Sequence, residues 1–341
     1  MKEPEGPTFK EKLAFWIVLS MISVFFAEVI SGSQPFALVI PWNLLVLILV
    51  YGLHTLILAT LVFRGKPIFG SLFAAGCIFG LYEAYITKVL FEPPWGASSL
   101  RYLGVDFMWI LILVLWWHVF FSFIIPLLVG EFMLTRSKEV LGAMPGPIGR
   151  ALTRKKGFLT FLFLIVIWAA LFMGGNMPAF WAAPVSIGAN LAVLVPAVMI
   201  YRSRIGPKYT LRELLPNERE FWALFSILFF MYILFGFIWS PERLPPPEGH
   251  LIMLGLYLLF FILLQRNINK SGGSSGDRIK EEVKWRIPPY IAFLLFIVFS
   301  ILSVTIGITG IGVVFMLLSF LLGIVLGALS LVHTVYHSIA K

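Results

Sequence analysis

Charge is scarce in this chain. Of its 341 residues only 13% are Asp, Glu, Lys or Arg, while 60% are apolar; an ordinary soluble domain carries about 25% charged residues. That balance excludes a free-standing soluble enzyme. Cysteine is nearly absent as well: Cys77 stands alone, so no internal disulfide can form, and redox compartment is not legible from it. Two signatures are missing outright: the phosphate-cradling GxxxxGK[ST] loop and the Gly-rich dinucleotide loop. The stretches between apolar runs are too short for a folded soluble domain. Chemistry, if there is any, belongs to the membrane-embedded part.

What is present is a series of apolar runs about 20 residues long, the length that crosses a bilayer as a helix. The pattern predicts an all-α polytopic bundle of ten spans, over about 12–31, 41–63, 67–90, 105–134, 157–174, 178–201, 221–240, 250–265, 288–308 and 311–338, forming one integral membrane domain. Pro41, Pro67, Pro178 and Pro288 stand at predicted span starts, which suits a first helical turn, where the missing N–H would be unpaired anyway. The first run is span-length and lacks a small-residue cleavage site, so it reads as a retained helix.

Of the 26 Lys and Arg, all but Lys88, Arg101 and Arg243 fall in segments that ten crossings place on one side. The positive-inside rule then puts both termini in the cytoplasm, in the plasma membrane. The net charge of +9 is explained by this topology. The expected partners are membrane lipids and a small solute or ion, with no nucleic acid. Trp42, Trp95, Trp109 and Trp239 fall near outer ends and Trp16, Trp222 and Trp285 near inner ends, as interfacial anchors do. Two five-helix halves of opposite orientation are compatible with ten spans, but residues 1–174 and 178–341 show no sequence similarity.

Charge inside a span is costly and faces the bundle interior, a partner or water. The intramembrane acids are Glu28, Glu83, Asp106 and Glu131, all in the first four spans. This makes 1–135 the polar-site half and 157–341 a second half without acids in its spans. Gly76, Gly80, Glu83 and Thr87 share one helix face. Gly76 and Gly80 form a GxxxG, on which a neighbouring helix packs closely, so Glu83 is expected in a packed seam. His54 and His118 lie near mid-membrane at similar depth, Asn43 shares the face of His54, and Ser122 that of His118. Glu83, His54, His118, Glu28 and Asn43 therefore form the expected binding set. Glu83 doubles as the candidate catalytic group, and His54, His118 and Glu83 as candidate metal ligands; no cofactor is indicated. Lys88 is expected to reach out to the interface. Asp106 and Glu131 read as interfacial groups near opposite ends of span 4, which Pro126 is expected to kink. His333 and His337 have i,i+4 metal-ligand spacing but lack the glutamate of HExxH.

Four segments, "FAEVISGS", "YGLHTLILA", "IFGLYEAYITKVLFEPPWG" and "WWHVFFSFIIPL", resemble an uncharacterised family of archaeal multi-pass membrane proteins, over roughly residues 13–132. That resemblance implies an archaeal plasma membrane and imports no activity. A fainter one is to CAAX-protease-like intramembrane metalloproteases, whose pattern is Glu-Glu-x-x-x-Arg, Phe-x-x-x-His and His-x-x-x-Asn. Glu83 matches one glutamate. Tyr82 stands in place of its neighbour, Thr87 in place of the arginine, Val114 in place of the phenylalanine before His118, and His337 in place of the asparagine after His333. Three functions follow as expectations. The first is a transporter or channel-like protein with a Glu/His site for a cation, proton or small polar solute. The second is a metal-dependent hydrolase of lipid or lipidated peptide, with Glu83 as base and His54 and His118 as ligands. The third is a non-catalytic scaffold.

Overall fold

The computed structural model describes residues 6–93, 96, 98–239, 241–271 and 289–339. Trp95, Trp285 and most of the predicted inner loop 266–287 lie outside the described residues. Among the described residues, ten helices are long and apolar enough to cross a membrane. They are span 1 (Phe9–Val29), span 2 (Pro41–Phe63), span 3 (Phe69–Ile86), span 4 (Phe107–Leu134), span 5 (Lys155–Asn176), span 6 (Ala182–Arg204), span 7 (Glu218–Ile238), span 8 (Pro247–Asn269), span 9 (Ile291–Thr309) and span 10 (Gly312–Ile339). The protein is an all-α polytopic bundle, with one small addition: Arg101–Tyr102 and Val105–Asp106 pair as an antiparallel hairpin before span 4.

Helix ends follow local chemistry. Thr8 and Glu11 cap span 1 reciprocally, Asn217 and Glu220 do the same for span 7, and Pro41 occupies the first turn of span 2. Span 3 stops at Ile86 rather than near residue 90. The Thr87 hydroxyl turns back onto the Glu83 carbonyl, and Lys88 adopts a left-handed backbone with φ 66°, which ends the helix. The helix of span 8 continues past the predicted 265, to Ser271. Arg266 and Asn267 end the apolar run without breaking the helix, so hydropathy marked the polarity boundary and not the structural one.

The first four spans are the core. Between 61% and 83% of each one's most apolar window is buried, against 17% to 33% for spans 5 to 10, which ring them. The expected glycine seam is present. A Cβ on Gly76 would lie 2.9 Å from the Val119 Cα, and one on Gly80 would lie 2.7 Å from the Val114 Cα, so spans 3 and 4 touch backbone to backbone. Span 10 lays Gly323 and Gly327 against Trp116 and Leu115 on the far side of span 4. Span 4 changes winding near Pro126: Ile110–Ile124 forms wide i→i+5 turns and Ile125–Leu134 is α-helical.

Ten crossings put the start of span 1 and the end of span 10 on one face, termed the inner face. Its loops are tied by ion pairs: Lys12 with Glu220, Arg64 with Glu218, Arg136 with Glu213 and Arg212 with Glu139. Trp42, Trp222 and Trp239 are exposed on the flanks, as anchors should be. Trp16 is not. It is buried, and its indole N–H donates to the Leu214 carbonyl at 2.8 Å, because the 205–217 linker folds over the end of span 1.

Candidate functional site

Spans 2 and 7 touch toward the inner face, where Arg64 meets Glu218 and the Phe221 ring, and at mid-depth, where His54 meets Tyr232. Beyond that contact they bound a cavity of about 310 Å³, with span 3 as a further wall. Val46, Leu47 and Phe235 supply apolar walls, and the polar lining comes from Glu28, Glu83, Tyr51, Gln34, Lys88 and Arg243.

Wide i→i+5 turns bring the elements to this place. In span 1 they cover Phe25–Val29 and carry Glu28; in span 7 they cover Leu234–Ile238 and carry Phe235; in span 4 they carry His118. Such turns rotate the following side chains relative to an α-helix and concentrate at functional sites. No periodicity argument built on 3.6 residues per turn reveals them.

The two carboxylates in the cavity are held differently. Glu28 is buried and accepts hydrogen bonds from the Tyr51 and Ser33 hydroxyls. It is therefore a built member of the site and not a water-exposed group at a helix end. Glu83 is half-buried, and its carboxylate accepts no hydrogen bond from the described residues. It faces the cavity, close enough to Glu28 for the two charges to act on each other. Lys88 is 3% exposed and donates to the Trp239 carbonyl; it lines the cavity instead of reaching out to lipid headgroups. Burial pushes its ammonium below the ordinary lysine range; the Glu242 carboxylate opposes that shift, and Arg243 adds to it. Arg243 donates from Nε to Glu92 at 2.8 Å.

The remaining predicted residues separate. Asn43 donates to the Gln34 side chain at 3.1 Å, supporting a wall residue without lining the cavity itself. His54 is used on both nitrogens: Nδ1 lies 2.7 Å from the Val50 carbonyl and so donates, leaving Nε2 to accept from the Tyr232 hydroxyl at 3.0 Å. His118 has Nδ1 2.8 Å from the Ser122 hydroxyl. Both imidazoles stack on Phe79, with centroids 5.1 and 6.2 Å away, one layer inward of the cavity. His54, His118 and Glu83 do not converge, and among the described residues no three His, Cys, Asp or Glu side chains form a metal-sized group. The ligand set expected of a hydrolase is thus not assembled. His333 and His337 face each other at 4.3 Å between ring centroids, with His333 also against Phe69.

Asp106 and Glu131 lie at opposite ends of span 4, as expected, but neither is open to water. Both are fully buried. Asp106 accepts from the Ser98 N–H at 2.6 Å and the Met108 N–H at 3.2 Å, capping the start of span 4. Glu131 accepts three backbone N–H groups of the following short helix. Depth along the span gave no hint that either is enclosed, because Ser98 and the 139–141 N–H groups come from segments that fold back.

Sequence reasoning missed Tyr51, Gln34 and the span 7 wall. Tyr51 lies one turn from His54, and its polar tip inside an apolar run was an available signal. Nothing local marks Phe235, and Trp239 is marked only as an interfacial anchor.

These features define a class: an integral multi-pass membrane protein with a polar cavity recessed among its helices. The chain matches, over residues 17–340, the model of an uncharacterized membrane protein family, and it belongs to that family. It is similar to an uncharacterized protein of Archaeoglobus fulgidus, at 32% identity over 256 residues, covering 74% of this chain and 77% of that one. No solved structure matches.

Proposed function

We propose that this protein is a transporter or channel-like protein whose cavity binds a cation, a proton or a small polar solute through Glu83 and Glu28. The supporting observation is Glu83 itself: a carboxylate at span depth that accepts no hydrogen bond among the described residues, facing a cavity that holds a second carboxylate. A carboxylate kept only for packing would be satisfied by hydrogen bonds, as Glu131 is. Two like charges in one cavity repel, and a bound cation or proton relieves that repulsion.

The test is flux. In proteoliposomes holding the full chain, Glu83→Gln should reduce uptake of the transported species, screened across protons, alkali cations and small amines, by at least roughly tenfold. Its unfolding midpoint should stay near that of the wild type, because Glu83 supports no neighbour through its carboxylate. Uptake unaffected by Glu83→Gln across the whole panel would sink the reading.

We also place both termini in the cytoplasm and the cavity mouth outside. Because Cys77 is buried, a single introduced cysteine reports cleanly. A membrane-impermeant maleimide applied to intact cells should label Arg101→Cys and spare Arg154→Cys. The reverse pattern would invert the proposed orientation.

A further inference from the structure

The cavity lining carries charge of both signs. Glu28 and Glu83 lie within spans 1 and 3, while Lys88 and Arg243 lie beyond the ends of spans 3 and 7. Lys88 is the telling residue. It is almost wholly buried, it lines the cavity, and it is held in a left-handed backbone conformation that a non-glycine residue rarely adopts. Backbone strain of this kind persists where the surrounding structure enforces it and clusters at ligand sites. The fold supplies that enforcement: Lys88 is bonded to the Trp239 carbonyl, and the Arg243–Glu92 pair joins the same two segments alongside it. Arg243 uses Nε and one terminal nitrogen on Glu92 and has no protein partner for the other among the described residues. A site meant only for a cation would not keep two cations in its lining.

We propose that the occupant is a small zwitterion, its ammonium held by Glu28 and Glu83 and its anionic group facing Lys88 and Arg243. This rests on the transport reading above and narrows it to a substrate class. Glu83 sits in the last turn of span 3, and Lys88 lies two residues beyond the end of that helix, so the two opposite charges occupy separate places on the cavity wall. An ω-amino acid, whose charges are several bonds apart, suits that separation better than an α-amino acid. The apolar walls from Val46, Leu47 and Phe235 fit the methylene chain between them.

The experiment is calorimetric titration of the full chain in lipid nanodiscs with 6-aminohexanoate, and with its two half-charged analogues, 6-amino-1-hexanol and 6-hydroxyhexanoate. The zwitterion should bind the wild type more tightly than either analogue by roughly tenfold or more, the worth of one charge-assisted contact. Lys88→Gln should erase its advantage over the amino alcohol, and Glu83→Gln its advantage over the hydroxy acid. Arg243→Gln, at a more exposed position, should shrink the first advantage and serves if Lys88→Gln fails to fold. The proposal is overturned if the wild type binds the amino alcohol as tightly as the zwitterion, if the zwitterion does not bind, or if the Lys88 and Arg243 variants both keep full discrimination. Should Glu83-dependent cation flux persist without zwitterion binding, only this inference falls. Should both be absent, the transport reading falls with it.

Discussion

Gly80→Leu should abolish monodisperse, folded protein, and Gly80→Ala should lower the thermal unfolding midpoint in detergent by several degrees. The reason is steric. Even a methyl group at Gly80 would lie 2.7 Å from the Val114 Cα and 3.1 Å from the Leu113 carbonyl oxygen, both backbone atoms that no rotamer change can move aside. Overpacking at a well-fitted contact costs about 1–3 kcal/mol for a small addition, and a leucine adds several further atoms at the same spot. Gly76→Ala should behave similarly, with Val119 Cα at 2.9 Å. Gly255→Ala in span 8 is the control: nothing lies within 4 Å of the added carbon, and replacing a mid-helix glycine gains helix propensity. A Gly80→Leu protein as stable and monodisperse as the wild type would show that the backbone contact between spans 3 and 4 does not hold the core. The consequence reaches the cavity, because Gly80 lies one turn from Glu83.

This contact was legible in the sequence, and the reason is general. Spacing on one helix face depends only on local geometry, so Gly76, Gly80 and the apolar runs foretold both the ten spans and the seam. Glu83 was legible for a related reason: a carboxylate in an apolar run has few places to go. What failed were statements about which other element stands opposite. His54 and His118 share a layer, as equal depth suggested, yet each finds its own partner, in the Val50 carbonyl and Tyr232 for one and Ser122 for the other. Tyr51 joins Glu28 because wide turns in span 1 rotate that glutamate inward. A departure from 3.6 residues per turn leaves no mark in composition. Lys88 was misplaced for a similar reason: it was counted as helical, whereas its left-handed backbone turns it over the cavity.

Glu131→Ala should be among the most destabilising single substitutions in the chain, although the residue is remote from the cavity. Its carboxylate is fully buried and accepts the backbone N–H groups of Glu139 at 2.6 Å, Val140 at 3.1 Å and Leu141 at 3.1 Å. It thus caps the short helix Glu139–Ala143 and takes a further hydrogen bond from the Ser137 hydroxyl at 3.3 Å. Each buried donor left without an acceptor costs about 1–3 kcal/mol, so removing the carboxylate should cost several kcal/mol in all. Glu131→Gln keeps one acceptor oxygen but turns an NH2 toward donors, and should be intermediate. The capped helix in turn anchors the linker ahead of span 7: Ser137 accepts from the Leu211 N–H at 2.9 Å, and Glu139 pairs with Arg212. Limited proteolysis from the inner face should accordingly cut both 135–154 and 205–217 faster in Glu131→Ala, with a lowered unfolding midpoint. Uptake per folded molecule should be unchanged, which separates this carboxylate from Glu83, where flux is lost and the fold is kept. If Glu131→Ala were stable and protease-resistant, the three N–H groups would have to find other acceptors. If it were stable but inactive, the inner end of span 4 and not the outer cavity would be the seat of function.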